Sequence, residues 1–285
     1  MNNGVYSFPV FTLTDEDSVY DALEMMKTNF IKRIVIVKKK KPIGIVTELD
    51  LNQFLENDST SRTLDQIQLK EIMKKNVITV RNDLDDHLTQ CATRMDTFKI
   101  GSIVVVDDFG DLAGITTETD ISRHYARMFP GKFRVRDYMT DKIVTCRDSD
   151  SLHYALDIIN KNQISRLIVT DNNGNPKGTI TTNDFLRYSQ YFKRSLSKVH
   201  DELSQLSSEK NKVGEFIRYE ILTVEPDDDL ATAAELMVNN NVSGIPVIVI
   251  KNNKISGIIT KSDIVRAFSQ VITHGKLLEK YRTFH

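Results

Sequence analysis

An α/β (α+β) fold of four β-α-β-β-α repeats is what this sequence predicts, and three observations predict it. A heptapeptide Gly-x-x-Thr-x-x-Asp occurs four times, an amphipathic stripe precedes each copy, and a β-branched run lies between stripe and heptapeptide. The copies begin at Gly44, Gly114, Gly178 and Gly257, which places them 70, 64 and 79 residues apart. Self-similarity at a near-constant period marks a repeat architecture, in which each repeat is one supersecondary unit.

The elements follow in order. Thr12, Thr79, Thr145 and Thr223 each lie in a short β-prone run that opens a repeat. The stripes Val19-Ala22-Leu23-Met26, Leu88-Cys91-Ala92-Met95, Leu152-Ala155-Leu156-Ile159 and Leu230-Ala233-Ala234-Met237 keep the i, i+3, i+4, i+7 spacing of a helix with one buried face. Strand-forming runs come next: Ile34–Val37, Ile103–Val106, Leu167–Thr170 and Ile245–Ile250. Polar turns at Lys38–Lys41, Asp107–Gly110, Asp171–Asn175 and Lys251–Lys254 return the chain as a hairpin into the Gly-x-x-Thr strand. A second helix opens at each motif threonine.

The repeats are expected at 1–68, 69–130, 131–195 and 214–285. Between the last two, Leu196, Val199, Leu203 and Leu206 predict an amphipathic linker helix over 196–213. The break at Phe129-Pro130-Gly131 predicts sequential modules 1–130 and 131–285.

With 285 residues the chain is long enough for about two domains. Thirty-eight basic against 39 acidic residues leave a net charge of −1, so no global field draws the chain to nucleic acid or an anionic membrane. No apolar run approaches the roughly 20 residues of a membrane span, and the N-terminus carries no basic-then-apolar signal. A cytoplasmic location and no membrane partner are the expectation. Cys91 and Cys146 form no Cys-x-x-Cys pair and read as free thiols. The six histidines fall at unrelated repeat positions, and no nucleophile elbow, Walker loop or dinucleotide fingerprint occurs, so no catalytic residue, metal site or required cofactor is expected.

Threonine and aspartate three residues apart at a helix start have two readings. They form a capping-box variant, with the carboxylate favoured by the helix dipole. They also suit a ligand: glycine admits a close approach to the backbone, the helix N-terminus suits a phosphate, and a carboxylate accepts from two vicinal hydroxyls.

With these elements the repeat resembles the cystathionine-β-synthase-type (CBS) domain, whose signature ends in Gly, two hydrophobic residues, Ser/Thr, two variable residues and Asp. The resemblance covers almost the whole chain in four copies, which implies two paired-repeat Bateman modules. It further implies adenosyl ligands (AMP, ADP, ATP or S-adenosylmethionine) in clefts between paired repeats. Asp50, Asp120, Asp184 and Asp263 would then take ribose hydroxyls, with Thr47, Thr117, Thr181 and Thr260 near ribose or phosphate. The position two past each aliphatic marker holds Arg33, Ser102, Arg166 and Gly244. The resemblance carries Arg33 to the Asp120 site and Arg166 to the Asp263 site, leaving those of Asp50 and Asp184 weaker. Lys261 slightly favours the Asp263 site, and Thr12, Thr79, Thr145 and Thr223 are expected near the base.

The functional expectation is a stand-alone regulatory, energy-sensing module that passes its ligand state to a regulated protein or ribonucleoprotein, with a homodimer among the expected assemblies. The alternative is an interaction protein with vestigial clefts that contacts nucleic acid, a ribonucleoprotein or another enzyme. Its support is the Lys38–Lys41 turn, the basic segment Arg123–Arg136 and the linker.

Overall fold

The computed structural model describes residues 6–57, 60–83, 86–188, 211–217, 221–252 and 254–282. Four repeats of the expected kind follow one another. The first runs β1 (Thr12–Leu13), α1 (Val19–Asn29), β2 (Arg33–Lys38), β3 (Lys41–Thr47) and α2 (Glu48–Asn57). The second runs β4 (Thr79–Arg81), α3 (His87–Phe98), β5 (Ser102–Val106), β6 (Leu112–Thr117) and α4 (Glu118–Met128). The third runs β7 (Thr145–Arg147), α5 (Leu152–Asn162), β8 (Arg166–Thr170), β9 (Pro176–Thr181) and α6 (Thr182–Tyr188). The fourth continues with α7 (Leu230–Asn239), β10 (Gly244–Val249), β11 (Lys254–Thr260) and α8 (Lys261–Arg282).

The opening strand expected at Thr223 is reduced, among the described residues, to one parallel bridge between Val224 and Val247. Pro226 follows two residues later and has no N–H with which to extend a ladder.

In the first three repeats the opening strand pairs parallel with the central strand, which pairs antiparallel with the Gly-x-x-Thr strand. The helix between the first two strands is the crossover that a parallel pair requires. Each stripe meets the core as its spacing predicts. Val19, Ala22, Leu23 and Met26 are buried on α1, and Leu230, Ala233, Ala234 and Met237 on α7. On α3 the stripe begins one residue early, at buried His87, while Leu88 is only partly covered. Ser18 caps α1 in a reciprocal box with Asp21, and α1, α3 and α5 all end in a left-handed C-cap, at Phe30, Lys99 and Gln163.

Tertiary contacts group alternate repeats. One compact unit holds Val10–Val77 and Val144–Ile221, which are repeats 1 and 3. The other holds Ile78–Ile143 and the chain from Leu222 onward, repeats 2 and 4, together with the residues up to Pro9. The compact units are therefore not the sequential stretches 1–130 and 131–285. Helices are the reason: α2 and α1 pack on α6 in one unit, and α4 packs on α7 and α8, with α3 also on α8, in the other. A helical period announces a buried face but does not name its partner.

The unit of repeats 2 and 4 has one continuous core, including Tyr125, Ile121, Leu230, Ile264 and Phe268. Among the described residues the unit of repeats 1 and 3 has two clusters, around Leu23, Ile34 and Leu51 and around Leu152, Leu167 and Phe185. Full burial of each such side chain is worth about 1.5–3 kcal/mol. The linker helix expected over 196–213 lies outside the described residues except for its end, where Val213 is buried in a single 3-10 turn.

Candidate ligand site at the repeated heptapeptide

In every repeat the heptapeptide leaves a strand and enters the first turn of a helix. The motif carboxylate then turns back on its own threonine. Oδ2 of Asp50, Asp120, Asp184 and Asp263 accepts from the backbone N–H of Thr47, Thr117, Thr181 and Thr260, at 2.9 Å in all four. The same oxygen accepts from the threonine hydroxyl at 2.6, 2.8, 2.7 and 2.6 Å respectively. The aspartate's half of the capping reading is thus realised in all four copies, and in the first the Thr47 hydroxyl also accepts from the Asp50 N–H at 3.3 Å. Each carboxylate is held at a helix N-terminus, whose partial positive charge favours it.

The second carboxylate oxygen is held differently. Oδ1 of Asp50 meets Lys74 at 2.8 Å, that of Asp120 meets Arg123 at 3.1 Å, and that of Asp263 meets Arg266 at 3.0 Å. The cationic side chains are 64%, 44% and 39% exposed, whereas their aspartates are 6%, 9% and 10% exposed. A pair with one exposed arm contributes little and exchanges readily, about 0–1 kcal/mol. The arrangement is a fixed carboxylate with one oxygen committed to the cap and the other on an exchangeable cation. Burial raises the pKa of Asp263 against the opposing effect of its threonine.

Strand register places the remaining candidates. Arg33, Ser102, Arg166 and Gly244 lie directly opposite Thr47, Thr117, Thr181 and Thr260 in their own hairpins. Thr12, Thr79 and Thr145 pair across the central strand with Val35, Val104 and Ile168, two residues further from the motif. In the first three repeats the sheet therefore holds its motif threonine and the position opposite it at one end, with the opening threonine two residues along the central strand. Arg166 is buried, not solvated, and Arg33 lies close enough to Glu48 to favour its charged form. Arg33 and Arg166 share a unit with Asp50 and Asp184, while Asp120 and Asp263 belong to the other unit. Thr79 and Thr223 are exposed. Thr145 borders an open polar cleft lined by Arg147, Asp150, Tyr154 and Lys212, at the end of its sheet away from Thr181.

Two expected ligand positions carry contacts within the chain. The motif glycines were expected to admit a ligand, but three of them admit another stretch of chain. A Cβ on Gly44 would collide with Met73 Sδ and one on Gly114 with the Tyr6 ring, and one on Gly257 would stand 2.7 Å from the Thr140 carbonyl. These straps pair with the motif strand: Ser7 with Ile115, Lys74 with Ile45 and Thr140 with Ile258. Lys261, expected to favour a ligand, is buried, and its ammonium donates to Thr119 Oγ1 at 3.0 Å. The variable positions between motif threonine and aspartate are thus spent on joining repeats. Ser262 likewise donates to Glu118 at 2.7 Å, and Asn183 to buried Glu48 at 2.5 Å. Desolvation raises the Glu48 pKa, against the pull of Lys32 and these hydrogen bonds.

Sequence reasoning missed Lys74, Arg123 and Arg266. The two arginines carry a signal, an Asp and an Arg three apart on one helix face. Lys74 carries none, because its partner is brought to it by the strap. Among the described residues no group of three or more His, Cys, Asp or Glu side chains is placed to hold a metal, and no helix is long and apolar enough to cross a membrane.

Comparison with known proteins agrees with this geometry. The CBS domain model matches residues 5–57, 69–127, 135–191 and 213–270. The uncharacterized protein MJ1225 of Methanocaldococcus jannaschii is 25% identical over 276 residues, covering 91% of this chain and 95% of that protein. Its crystal structure superposes with a TM-score of 0.79 over 93% of this chain and 98% of that one, at 24% identity. A second protein of that organism, MJ1404, is 25% identical over 282 residues, 96% of this chain but 65% of its own length. An uncharacterized conserved protein from Pyrococcus horikoshii shares the fold with a TM-score of 0.65 at 19% identity, over 94% of this chain and 100% of that one. Four matched segments over most of the chain, each ending in the capped Thr–Asp turn described above, make this chain a member of the CBS domain family.

Proposed function

We propose that the chain is a regulatory module that binds adenosyl ligands, such as AMP, ADP, ATP or S-adenosylmethionine, at the helix N-termini of its repeated heptapeptides. The observation that carries this reading is the carboxylate itself, repeated four times. Its Oδ2 is fixed by two hydrogen bonds, and in three repeats its Oδ1 rests on a partly exposed cation. A ribose diol that displaces such a cation finds a preorganised acceptor, and preorganisation lowers the ordering cost of binding. The threonine hydroxyl and the helix N-terminus add donors suited to ribose or phosphate. Binding that favours one arrangement of the chain over another would pass the ligand state to a regulated protein, to the extent of its differential affinity. No step of bond breaking belongs to this reading.

Thermal melts with AMP, ADP, ATP and S-adenosylmethionine test it, followed by recovery of each compound. A ligand that binds only the folded chain at about 100 times its dissociation constant adds roughly 2.7 kcal/mol, which raises the melting temperature by several degrees. The Asp→Asn change at each motif position keeps the acceptor of the cap while removing the charge, so it separates binding from folding. A flat melting temperature with all four compounds supports the alternative of an interaction protein. Steady conversion of a nucleotide at catalytic protein concentration overturns the regulatory reading.

A further inference from the structure

The motif aspartates of repeats 2 and 4 are held by arginines at the same helical offset, yet the two arginines are anchored very differently. The Arg123 side chain donates to Asp120 Oδ1 at 3.1 Å and makes no second hydrogen bond among the described residues. Arg266 donates to Asp263 Oδ1 at 3.0 Å and also to the Tyr138 carbonyl at 2.6 Å. Its guanidinium lies 5.6 Å from the centroid of the Tyr138 ring, a cation–π distance.

Tyr138 is itself a rigid anchor. It is 7% exposed, its hydroxyl donates to Gln270 at 2.7 Å, and its ring lies 4.9 Å from that of Phe133. It sits one residue before the part of the strap that covers Gly257. There Thr140 and Ile258 exchange both backbone hydrogen bonds at 2.9 Å. Arg266 thus ties the ligand-facing oxygen of Asp263 to a paired strap, whereas Arg123 ties Asp120 to nothing else.

We propose that Arg266 is a gate on the fourth repeat, occupying the oxygen of Asp263 that a ribose hydroxyl would take, so that adenosyl ligands load at Asp120 before Asp263. The proposal rests on the adenosyl-ligand reading above. Its physical basis is a difference in what a ligand must displace. At Asp120 the ligand breaks one partly exposed ion pair. At Asp263 it must part the carboxylate from a guanidinium that the Tyr138 carbonyl and ring also hold in place. The two repeats share the same cap and the same dipole, so the tether decides the order. Tyr138 acts through Arg266 and is a positioning residue.

Calorimetric titration with AMP, and in a parallel set with ATP, distinguishes the outcomes. Arg266→Gln should tighten the weaker class of sites by about threefold or more, the scale of one exposed ion pair converted to a binding ratio. Adding Asp263→Asn to the same chain should erase that gain. Tyr138→Leu leaves Arg266 in place but removes the ring beneath it, and should give a smaller gain of the same sign. Arg123→Gln should change affinity less than Arg266→Gln does. If the unaltered chain binds AMP or ATP and Arg266→Gln binds equally or more weakly, the gate is overturned while the adenosyl reading stands. A weaker variant would make Arg266 a ligand group instead. If neither the unaltered chain nor the variants bind either nucleotide, the adenosyl reading falls and the gate with it.

Discussion

Lys261 Nζ donates to Thr119 Oγ1 across 3.0 Å, and both residues are variable positions of the heptapeptide, one in each of two repeats that share a core. The other unit repeats the device with different chemistry, since the Glu48 carboxylate accepts from Asn183 at 2.5 Å and from Thr182 at 3.4 Å. The constant residues of the motif cap helices, and the variable ones select which helix ends meet. Thr119→Val removes one acceptor of the buried Lys261 ammonium at almost constant volume. A hydrogen bond to a charged group is worth about 1.5–3 kcal/mol, so chemical denaturation should show a loss of that size. A loss below about 0.5 kcal/mol would mean that the contact does not help hold the two repeats together.

The glycine positions allow a graded prediction. At Gly257 an added Cβ would meet the Thr140 carbonyl, a backbone atom fixed in a bridge, at 2.7 Å. At Gly44 it would meet the flexible end of the Met73 side chain. Overpacking costs about 1–3 kcal/mol, and less where the neighbour can swing away. Gly257→Ala should therefore cost more than Gly44→Ala. Gly131, at φ +74° with no atom within 4 Å, should cost only the strain of a left-handed alanine, about 1 kcal/mol. Equal losses at Gly257 and Gly44 would contradict the strap geometry.

The hairpin turn of the first repeat departs from its counterparts. Repeats 2 and 3 place Gly110 and Gly174 at positive φ, and Asp107 and Asp171 accept backbone N–H groups within the turn. Repeat 1 instead holds Lys39 and Lys40 at φ 50° and 69°. Two consecutive left-handed residues make a turn for which Asn-Gly is preferred. Lys39→Asn with Lys40→Gly should stabilise the chain by about 1 kcal/mol, the left-handed penalty less the entropy of glycine. Measured destabilisation would show that the lysine side chains contribute contacts that offset this strain.

Much of this fold is legible in the sequence, because a helix or strand with one buried face writes its period into the chain. The α1 stripe is an example: all four of its residues are in the core. The motif Thr–Asp pairs were likewise readable as caps, since their partners are three residues apart. What was not legible involves partners far away in sequence. Lys74 reaches Asp50 from a strap, Tyr6 covers Gly114, and α4 meets α8 across more than a hundred residues. Spacing carries no record of these meetings. Lys261 shows the same limit: its charge is visible in the sequence, but not the Thr119 hydroxyl to which it donates.

His87 supplies a prediction about pH. Its ring is buried, with Nε2 2.9 Å from Thr116 Oγ1, Cys91 Sγ 3.5 Å away and the Tyr6 ring centred 5.6 Å off. Desolvation lowers its pKa below the ordinary value of 6.5, outweighing the Arg81 carbonyl and the charge of Asp86. The unfolded chain therefore binds this proton more readily than the folded one. Linkage then fixes the sign: the contribution of neutral His87 is intact above the unfolded value and is lost as pH falls through it toward the lowered folded value. Half-buried His124, edge-on to Phe268 at 5.4 Å, shifts in the same direction. Glu48 and Asp263, raised by burial, work in the opposite direction at lower pH. The informative quantity is thus a difference between variants, not the pH profile of one chain. His87→Gln keeps a polar side chain beside Thr116 but cannot take up the proton. Unfolding free energies measured from about pH 7.5 down to about pH 5 should fall less steeply for His87→Gln than for the unaltered chain. Parallel profiles over that range would mean that His87 titrates in the fold as it does in water, and that the Tyr6 strap does not keep it dry.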